Sequence, residues 1–223
     1  MKLVSLLIGA VSTFFAFIGA AIAAQPTPWQ MWHQPAGSEM MARIEWFDKY
    51  TFWFIVPITI FVMILLFIVI TKFSAKNNPN PSRTSHNTFI EVVWTVVPII
   101  VLVAIAIPSF DLLDRQLKPE GEPELTVKAT GYQWYWGYEY QDGEEVSFDS
   151  IMLRDGEGEE VGKGDTTVYP RLLAVDNELV VPVGKMVRVL VTAGDVIHNF
   201  ALPAFGLKMD GIPGRLNETW FKA

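Results

Sequence analysis

The sequence predicts a hairpin of two transmembrane helices followed by an all-β domain. Two uncharged apolar blocks of 19 residues, 52–70 and 92–110, are each long enough to cross a bilayer as a helix. After residue 110 the chain changes to short runs rich in β-branched and aromatic residues, separated by Gly, Pro, Asp and Asn. Hydrophobic residues make up 51% of the 223 residues, which excludes a disordered chain.

Charge and cysteine content exclude several classes of function. The formal net charge is −7, which argues against a nucleic-acid partner because binding to phosphates requires basic residues. The sequence has no cysteine, which excludes a disulfide framework, a thiolate zinc site and a cysteine nucleophile within these residues.

Residues 1–24 have the pattern of a secretory signal peptide. Lys2 precedes a long apolar run, and the small residues Ala21 and Ala23 provide the cleavage pattern. The alternative is a further transmembrane helix, since the run is long enough to span. We interpret this segment as a signal peptide.

The two later apolar blocks are predicted to be the membrane spans. As a helix each block covers about 28 Å, close to the ~30 Å thickness of the hydrocarbon layer. Three prolines lie inside them: Pro57, Pro98 and Pro108. Membrane helices tolerate proline when neighbouring groups bond the carbonyls that it frees.

The loop between the spans predicts the topology. It carries Lys72, Lys76 and Arg83, with no acidic residue before Glu91. By the positive-inside rule this loop is cytoplasmic. Everything after residue 110 then faces the outside, which agrees with the signal peptide.

Residues 111–223 are predicted to form a β-sandwich or Greek-key barrel. They contain 20 of the 24 acidic residues and 11 of the 17 basic ones. Seven short runs are predicted strands: 125–130, 132–140, 146–153, 179–183, 186–192, 196–202 and 218–222. In the fifth run, alternation places three valines on one face. Residues 155–165, rich in Gly and Glu, are predicted to be an exposed hairpin loop.

The most unusual run is the aromatic segment 132–140. If it forms one strand, Tyr132, Trp134, Trp136, Tyr138 and Tyr140 share one face. Aromatic residues favour sheets, so a packed strand would account for them. Their number exceeds what a domain of this size usually buries, and exposed aromatic side chains form contact hot spots. Some of them are therefore candidates for a docking surface.

Two further polar residues could carry chemistry. His198 alternates with apolar neighbours, so by type it is either a hydrogen-bonded core residue or a metal ligand. Glu91 follows Thr88 at the spacing of a capping box, at the start of the second span. A carboxylate there also suits the helix dipole, so a structural role alone is sufficient for Glu91.

Together these features resemble subunit II of haem–copper cytochrome c oxidase, of the alphaproteobacterial and mitochondrial type. The resemblance covers nearly the whole chain after the signal peptide. It rests on six motifs that occur in the family's order: residues 86–98, the aromatic segment, and residues 147–150, 175–177, 195–198 and 210–215.

The resemblance implies a cupredoxin-like Greek-key fold and acceptance of electrons from cytochrome c. The first histidine ligand of the binuclear CuA copper centre falls on His198, and the tryptophan at which electrons enter falls on Trp134. The glutamate at the mouth of a proton pathway of the catalytic subunit falls on Glu91. Acidic residues implicated in cytochrome c docking fall on Glu139, Asp149, Asp176 and Asp195. The implied partners are catalytic subunit I, other oxidase subunits, cytochrome c and membrane lipid.

The sequence departs from this family in its metal ligands. The family continues past the position of residue 223 into a Cys-x-x-x-Cys loop, and two bridging thiolates hold the copper pair. We therefore expect a C-terminally truncated fragment, with an incomplete β domain, that binds no copper and is inactive alone. In the complete protein the resemblance implies electron transfer through CuA to the catalytic subunit, oxygen reduction and proton pumping.

Two alternatives remain. A copper-free quinol-oxidase subunit II with a structural role would explain the missing cysteines, whereas the aromatic segment and the surroundings of His198 fit the cytochrome c type. A membrane-tethered binding domain without a redox role is the other alternative. We expect the bacterial inner membrane, with the β domain in the periplasm, rather than the mitochondrial inner membrane.

Overall fold

Two long helices begin the part of the chain that the computed structural model describes, which is residues 25–119, 121–143 and 146–223. Helix α1 (Glu39–Lys72) and helix α2 (Thr88–Leu117) are both long and apolar enough to cross a membrane. Each contains its predicted uncharged block and extends beyond it at both ends, so the predicted transmembrane hairpin is confirmed. The predicted signal peptide lies outside the described residues.

The chain divides into two compact units. Among the described residues, one unit consists of residues 43–116, and the other combines residues 25–42 with the described part of 117–223. Helix α2 continues past the predicted boundary at residue 111 as far as Leu117.

The helical unit shows how a proline is accommodated. Pro108 has no N–H, so the carbonyl of Ala104, four residues earlier, loses its helical partner. The hydroxyl of Tyr50 on α1 donates a hydrogen bond to that carbonyl at 3.0 Å. The ring of Phe54 packs edge-on against Tyr50, with centroids 5.2 Å apart. This contact satisfies a polar group that the bilayer could not.

The N-terminus of α2 is capped one residue earlier than predicted. Asn87, and not Thr88, accepts the N–H of Ile90 through its side-chain oxygen at 3.2 Å. The Glu91 carboxylate accepts the N–H of Asn87 at 3.1 Å, which completes a reciprocal cap. Asn is favoured at this position because its short side chain reaches the free N–H groups of the first turn.

The second unit is a β domain built from two sheets. Its strands are β1 (Leu125–Tyr132), β2 (Tyr135–Tyr140), β3 (Val146–Ile151), β4 (Met186–Ala193), β5 (His198–Leu202), β6 (Leu207–Gly211) and β7 (Asn217–Lys222). The five-stranded sheet has the order β3-β2-β1-β4-β7, and β5 pairs with β6 in a second sheet. Strands β1 and β4 are parallel, and the other pairs are antiparallel.

The core lies between these sheets. Val187, Val189 and Val191 on β4 are completely buried, as their alternation predicted. Phe200 and Leu207 cover them from the second sheet. The predicted all-β domain is therefore confirmed, although β6 was not predicted as a strand.

The predicted strand at 179–183 is wrong. Leu179 and Val181 pack against the core, but no ladder forms. The Tyr140 hydroxyl accepts the N–H of Val180 at 3.1 Å and donates to its carbonyl at 2.5 Å. Pro182 has no N–H to offer a neighbouring strand. Residues 155–165 contain a short helix α3 (Glu157–Glu160) instead of a simple hairpin loop.

The prediction of one continuous aromatic strand is also wrong. A turn at Gln133 and Trp134 separates β1 from β2, which pair as a hairpin with Tyr132 opposite Tyr135. Paired residues share a face, so Tyr132 lies with Tyr135, and their rings stack with centroids 4.9 Å apart. The core side of β2 is formed by three aromatic residues: Trp136, Tyr138 and Tyr140.

The segment before α1 packs against the β domain. The N–H of Gly37 donates to the Ala204 carbonyl at 2.7 Å. The Ser38 hydroxyl donates to the Phe205 carbonyl at 2.9 Å and accepts the N–H of Met41 at 3.0 Å. One side chain thus caps the first turn of α1 and binds it to the turn between β5 and β6.

We predict that Tyr138 makes the β domain sensitive to alkaline pH. Burial raises the pKa of Tyr138 from 10.0 to about 12. Between these values the unfolded chain releases a proton that the native phenol keeps, so stability falls as pH rises from 10 to 12. The loss is about 2–3 kcal/mol by proton linkage. Urea unfolding of the wild type against Tyr138→Phe measures it, because the variant should lack this component. Equal pH dependence in both would contradict the prediction.

Candidate functional site

The turn between β1 and β2 and the loop between β4 and β5 meet at one end of the large sheet. The N–H of Gly194 donates to the Gly131 carbonyl at 3.0 Å. The N–H of Gln133 donates to the Asp195 carboxylate at 2.8 Å. Trp134 is at the tip of the turn and is 83% exposed. A large apolar ring held in water on a short turn is a typical contact residue.

His198 is the first residue of β5 and lies beside this turn. Its side chain is only 14% exposed, and its Nε2 is 2.7 Å from Asp195 Oδ1. The ring contacts Trp136 in an edge-on arrangement, with centroids 6.1 Å apart. A Cβ on Gly131 would come within 2.7 Å of the ring, so glycine is required there. Tight packing therefore fixes the position of the imidazole.

Asp195 connects these groups. Its Oδ2 accepts the N–H of Gln133, and its Oδ1 accepts the N–H of Val196 at 2.6 Å and contacts the imidazole of His198. The hydrogen bond from His198, with the two backbone donors, lowers the pKa of Asp195 despite some desolvation.

The other predicted docking acids lie on nearby parts of the domain. Asp176 Oδ1 accepts the N–H groups of Ile151 and Asn177, both at 2.7 Å. Ile151 pairs with Tyr135, so Asp176 lies near the end of the sheet that carries Trp134. This carboxylate is used to hold the chain after β3.

Glu139 and Asp149 share an open groove on the outer face of the sheet. The groove has a volume of about 630 Å³ and is lined by Thr130, Tyr132, Gly137, Glu139, Ser147 and Asp149. Glu139 forms a salt bridge of 2.8 Å with Lys128. Desolvation of the Tyr135 phenol raises its pKa, and the negative charge of Asp149 raises it further.

The structure thus brings Trp134, Asp195 and His198 together. Asp176 lies near the same end of the sheet, Asp149 lies farther along it, and Glu139 lies toward the opposite end of β2. Glu91 belongs to the other compact unit, at the start of α2.

Comparison with known proteins identifies the family of this arrangement. Residues 26–112 match the family described as "Cytochrome C oxidase subunit II, transmembrane domain", and residues 125–223 match "Cytochrome C oxidase subunit II, periplasmic domain". The "Probable cytochrome c oxidase subunit 2" of Rickettsia bellii is 47% identical over 99% of this chain and 77% of its own length.

The chain belongs to the cytochrome c oxidase subunit II family.

Two other relatives agree, and one solved structure is also similar. The Rickettsia felis protein of the same description is 46% identical over 95% of this chain, which spans 64% of its length. The "Cytochrome c oxidase subunit 2" of Cereibacter sphaeroides is 42% identical over 91% of this chain and 70% of its own. The crystal structure of the periplasmic domain of subunit II (CoxB) of Bradyrhizobium japonicum is 58% identical, covering 46% of this chain and 66% of that one, with a TM-score of 0.39.

A copper centre is implied for a cytochrome c oxidase subunit II, and the residues present do not fit one. In residues 25–119, 121–143 and 146–223, no three His, Cys, Asp or Glu side chains form a group that could hold a metal ion. The whole sequence contains no cysteine. His198 and Asp195 provide one imidazole and one hard carboxylate, whereas a soft copper site requires thiolates.

One residue of this subunit II domain was not predicted from the sequence. Lys163 is only 15% exposed, and its ammonium donates to the carbonyls of Val175 and Asp176 and to Glu178. It also lies over the ring of Tyr169, 5.4 Å from the centroid. Lys163 therefore holds its own loop against the segment that contains Val175, Asp176 and Glu178. A lysine between two glycines in a polar loop gives no sequence signal for such a role.

Proposed function

We propose that this chain is the cytochrome c-binding subunit of a respiratory oxidase, with its β domain in the periplasm and its helices in the bacterial inner membrane. The observation that carries the proposal is the exposed Trp134 indole at the tip of a fixed turn. In this proposal Trp134 is the residue at which electrons from cytochrome c enter. The oxidase's catalytic subunit I, its other subunits and membrane lipid are the remaining partners.

Electrostatics supports this proposal for the outer domain. Asp176 and Asp195 lie at or near the end of the sheet that carries Trp134, and Asp149 and Glu139 lie farther along its outer face, in a part of the chain rich in acidic residues. An acidic field attracts a basic partner and raises its association rate, and salt weakens it over ~10 Å at 0.1 M. Cytochrome c of the basic type is the partner whose charge complements this surface.

Copper chemistry is proposed only for the complete protein, in which His198 would be one CuA ligand and the other ligands would come from residues that this sequence does not contain. The proposal includes electron delivery to the catalytic subunit, oxygen reduction and proton pumping in that complex. A second candidate is a copper-free quinol-oxidase subunit II with a structural role. The cysteine-free sequence favours it.

A role in proton uptake is proposed for Glu91. Its carboxylate is at the first turn of α2, in a half-buried position, and accepts a backbone N–H of the cap. Among the described residues, no hydrogen bond reaches the second carboxylate oxygen, Oε2, so it can take a further partner. A capping carboxylate can therefore also face the mouth of a proton pathway in the catalytic subunit.

Binding of a soluble basic cytochrome c to the full chain in nanodiscs tests the proposed function. Asp149→Asn is expected to weaken binding about two- to fivefold at low salt and to flatten its dependence on ionic strength. The control is Glu122→Gln, which removes the same charge before the start of β1, roughly 25 Å along the strand from the turn.

If the two substitutions weakened cytochrome c binding equally, binding would depend on the net charge of the domain and not on the position of Asp149. Absence of cytochrome c binding to the wild-type chain would favour the quinol-oxidase type.

A further inference from the structure

The Asp195 carboxylate accepts hydrogen bonds from groups within the site, whereas in the part of the chain that the structure describes the carboxylate of Asp149 does not. Three groups approach its two oxygens: the N–H of Gln133, the N–H of Val196 and the imidazole of His198, all within 2.8 Å. Among the described residues, the Asp149 carboxylate accepts no such bond, and it lines the open groove. The two aspartates carry the same charge but face different surroundings.

The turn that carries Trp134 depends on this carboxylate. Gln133 and Trp134 lie outside the ladder, because the pairing of β1 with β2 ends at Tyr132 and Tyr135. The N–H of Gln133 therefore needs an acceptor from elsewhere. Asp195 Oδ2 provides it from the loop before β5.

A second contact fixes the distance between the turn and the loop. The N–H of Gly194 donates to the Gly131 carbonyl, and a Cβ on Gly194 would overlap the Tyr132 ring. The loop backbone thus lies directly against the end of β1. The position of the Asp195 side chain relative to the turn is therefore fixed, and the side chain has little freedom to reach a partner protein.

We propose that Asp195 is primarily a positioning residue for Trp134 and not primarily a docking charge. Its carboxylate joins the turn that carries Trp134 to strand β5, which begins with His198. This inference rests on the proposed function insofar as Trp134 receives electrons. The geometry requires an anion with two acceptor oxygens. Asparagine offers only one acceptor oxygen and turns an amide NH₂ toward a donor. Glutamate keeps the charge but moves the carboxylate by one methylene.

Hydrogen exchange at single-residue resolution, on the full chain in nanodiscs, tests the inference. In Asp195→Asn at least one of the amides of Gln133 and Val196, the one that faces the new NH₂ group, should exchange about ten- to a hundredfold faster, as expected for a lost charge-assisted hydrogen bond. Asp195→Glu should show the same acceleration although its charge is retained. Asp149→Asn is the matched control and should leave both amides unchanged.

A second readout follows the indole itself. With 5-fluorotryptophan incorporated, the ¹⁹F resonance of Trp134, assigned through Trp134→Phe, should shift or broaden in both Asp195 variants and not in Asp149→Asn. Unchanged exchange and an unchanged resonance in both Asp195 variants would overturn the inference. Failure of the proposed function is recognised separately, by unaltered cytochrome c binding in both Trp134→Ala and Asp149→Asn.

Discussion

Gly131→Ala is expected to lower the free energy of unfolding of the β domain by about 1–3 kcal/mol, as overpacking of a tight interior does. The new Cβ would lie 2.7 to 2.9 Å from three atoms of the His198 side chain. The ring cannot move freely, because Trp136 and Asp195 hold it. Either β1 or β5 must shift, and the Trp134 turn with it. Urea unfolding of the full chain in nanodiscs, followed by tryptophan fluorescence, measures the effect.

Gly121→Ala is the matched control for this substitution. An added Cβ there meets no atom within 4 Å, and its backbone is not in the left-handed region. It should change the free energy of unfolding by less than about 0.5 kcal/mol. If Gly131→Ala proved equally silent, the close packing of His198 against β1 would be contradicted.

The predicted topology should give an all-or-none labelling result. The chain has no cysteine, so a single introduced cysteine provides the only thiol. A cysteine at Ser82, in the basic loop between α1 and α2, should be protected from an impermeant maleimide in intact spheroplasts. A cysteine at Glu160, an exposed position on α3, should react fully. After lysis both should react, and the reverse pattern in intact spheroplasts would refute the topology.

The helical part of the fold could be predicted closely because the bilayer imposes one solution on a long uncharged block. The β domain could be predicted in outline, since alternation identified Val187, Val189 and Val191 as one buried face. Individual strand ends could not. Residues 179–183 have the composition of a strand, but Tyr140 supplies a side-chain partner where a ladder would be needed.

The candidate site was predictable in its residues but not in its connections. Family resemblance indicated Trp134, His198 and Asp195, and the structure brings them together. The aromatic segment looked like one strand because period-two alternation continues through the turn at Gln133 and Trp134. Hydrogen bonds between residues far apart in sequence, such as Gln133 to Asp195, leave no local pattern.

The parallel pairing of β1 with β4 has a consequence for how the domain forms. Strands β1, β2 and β3 are neighbours in sequence, so this meander can assemble as soon as residue 151 is available. The other edge of β1 remains unpaired until β4 arrives, since Leu125 pairs with Val187. Bringing β4 to β1 closes a long loop, and the lost chain entropy is offset only after the two strands have paired. Such non-local pairing slows folding. We therefore expect the sheet to close late, after most of the chain has emerged on the far side of the membrane.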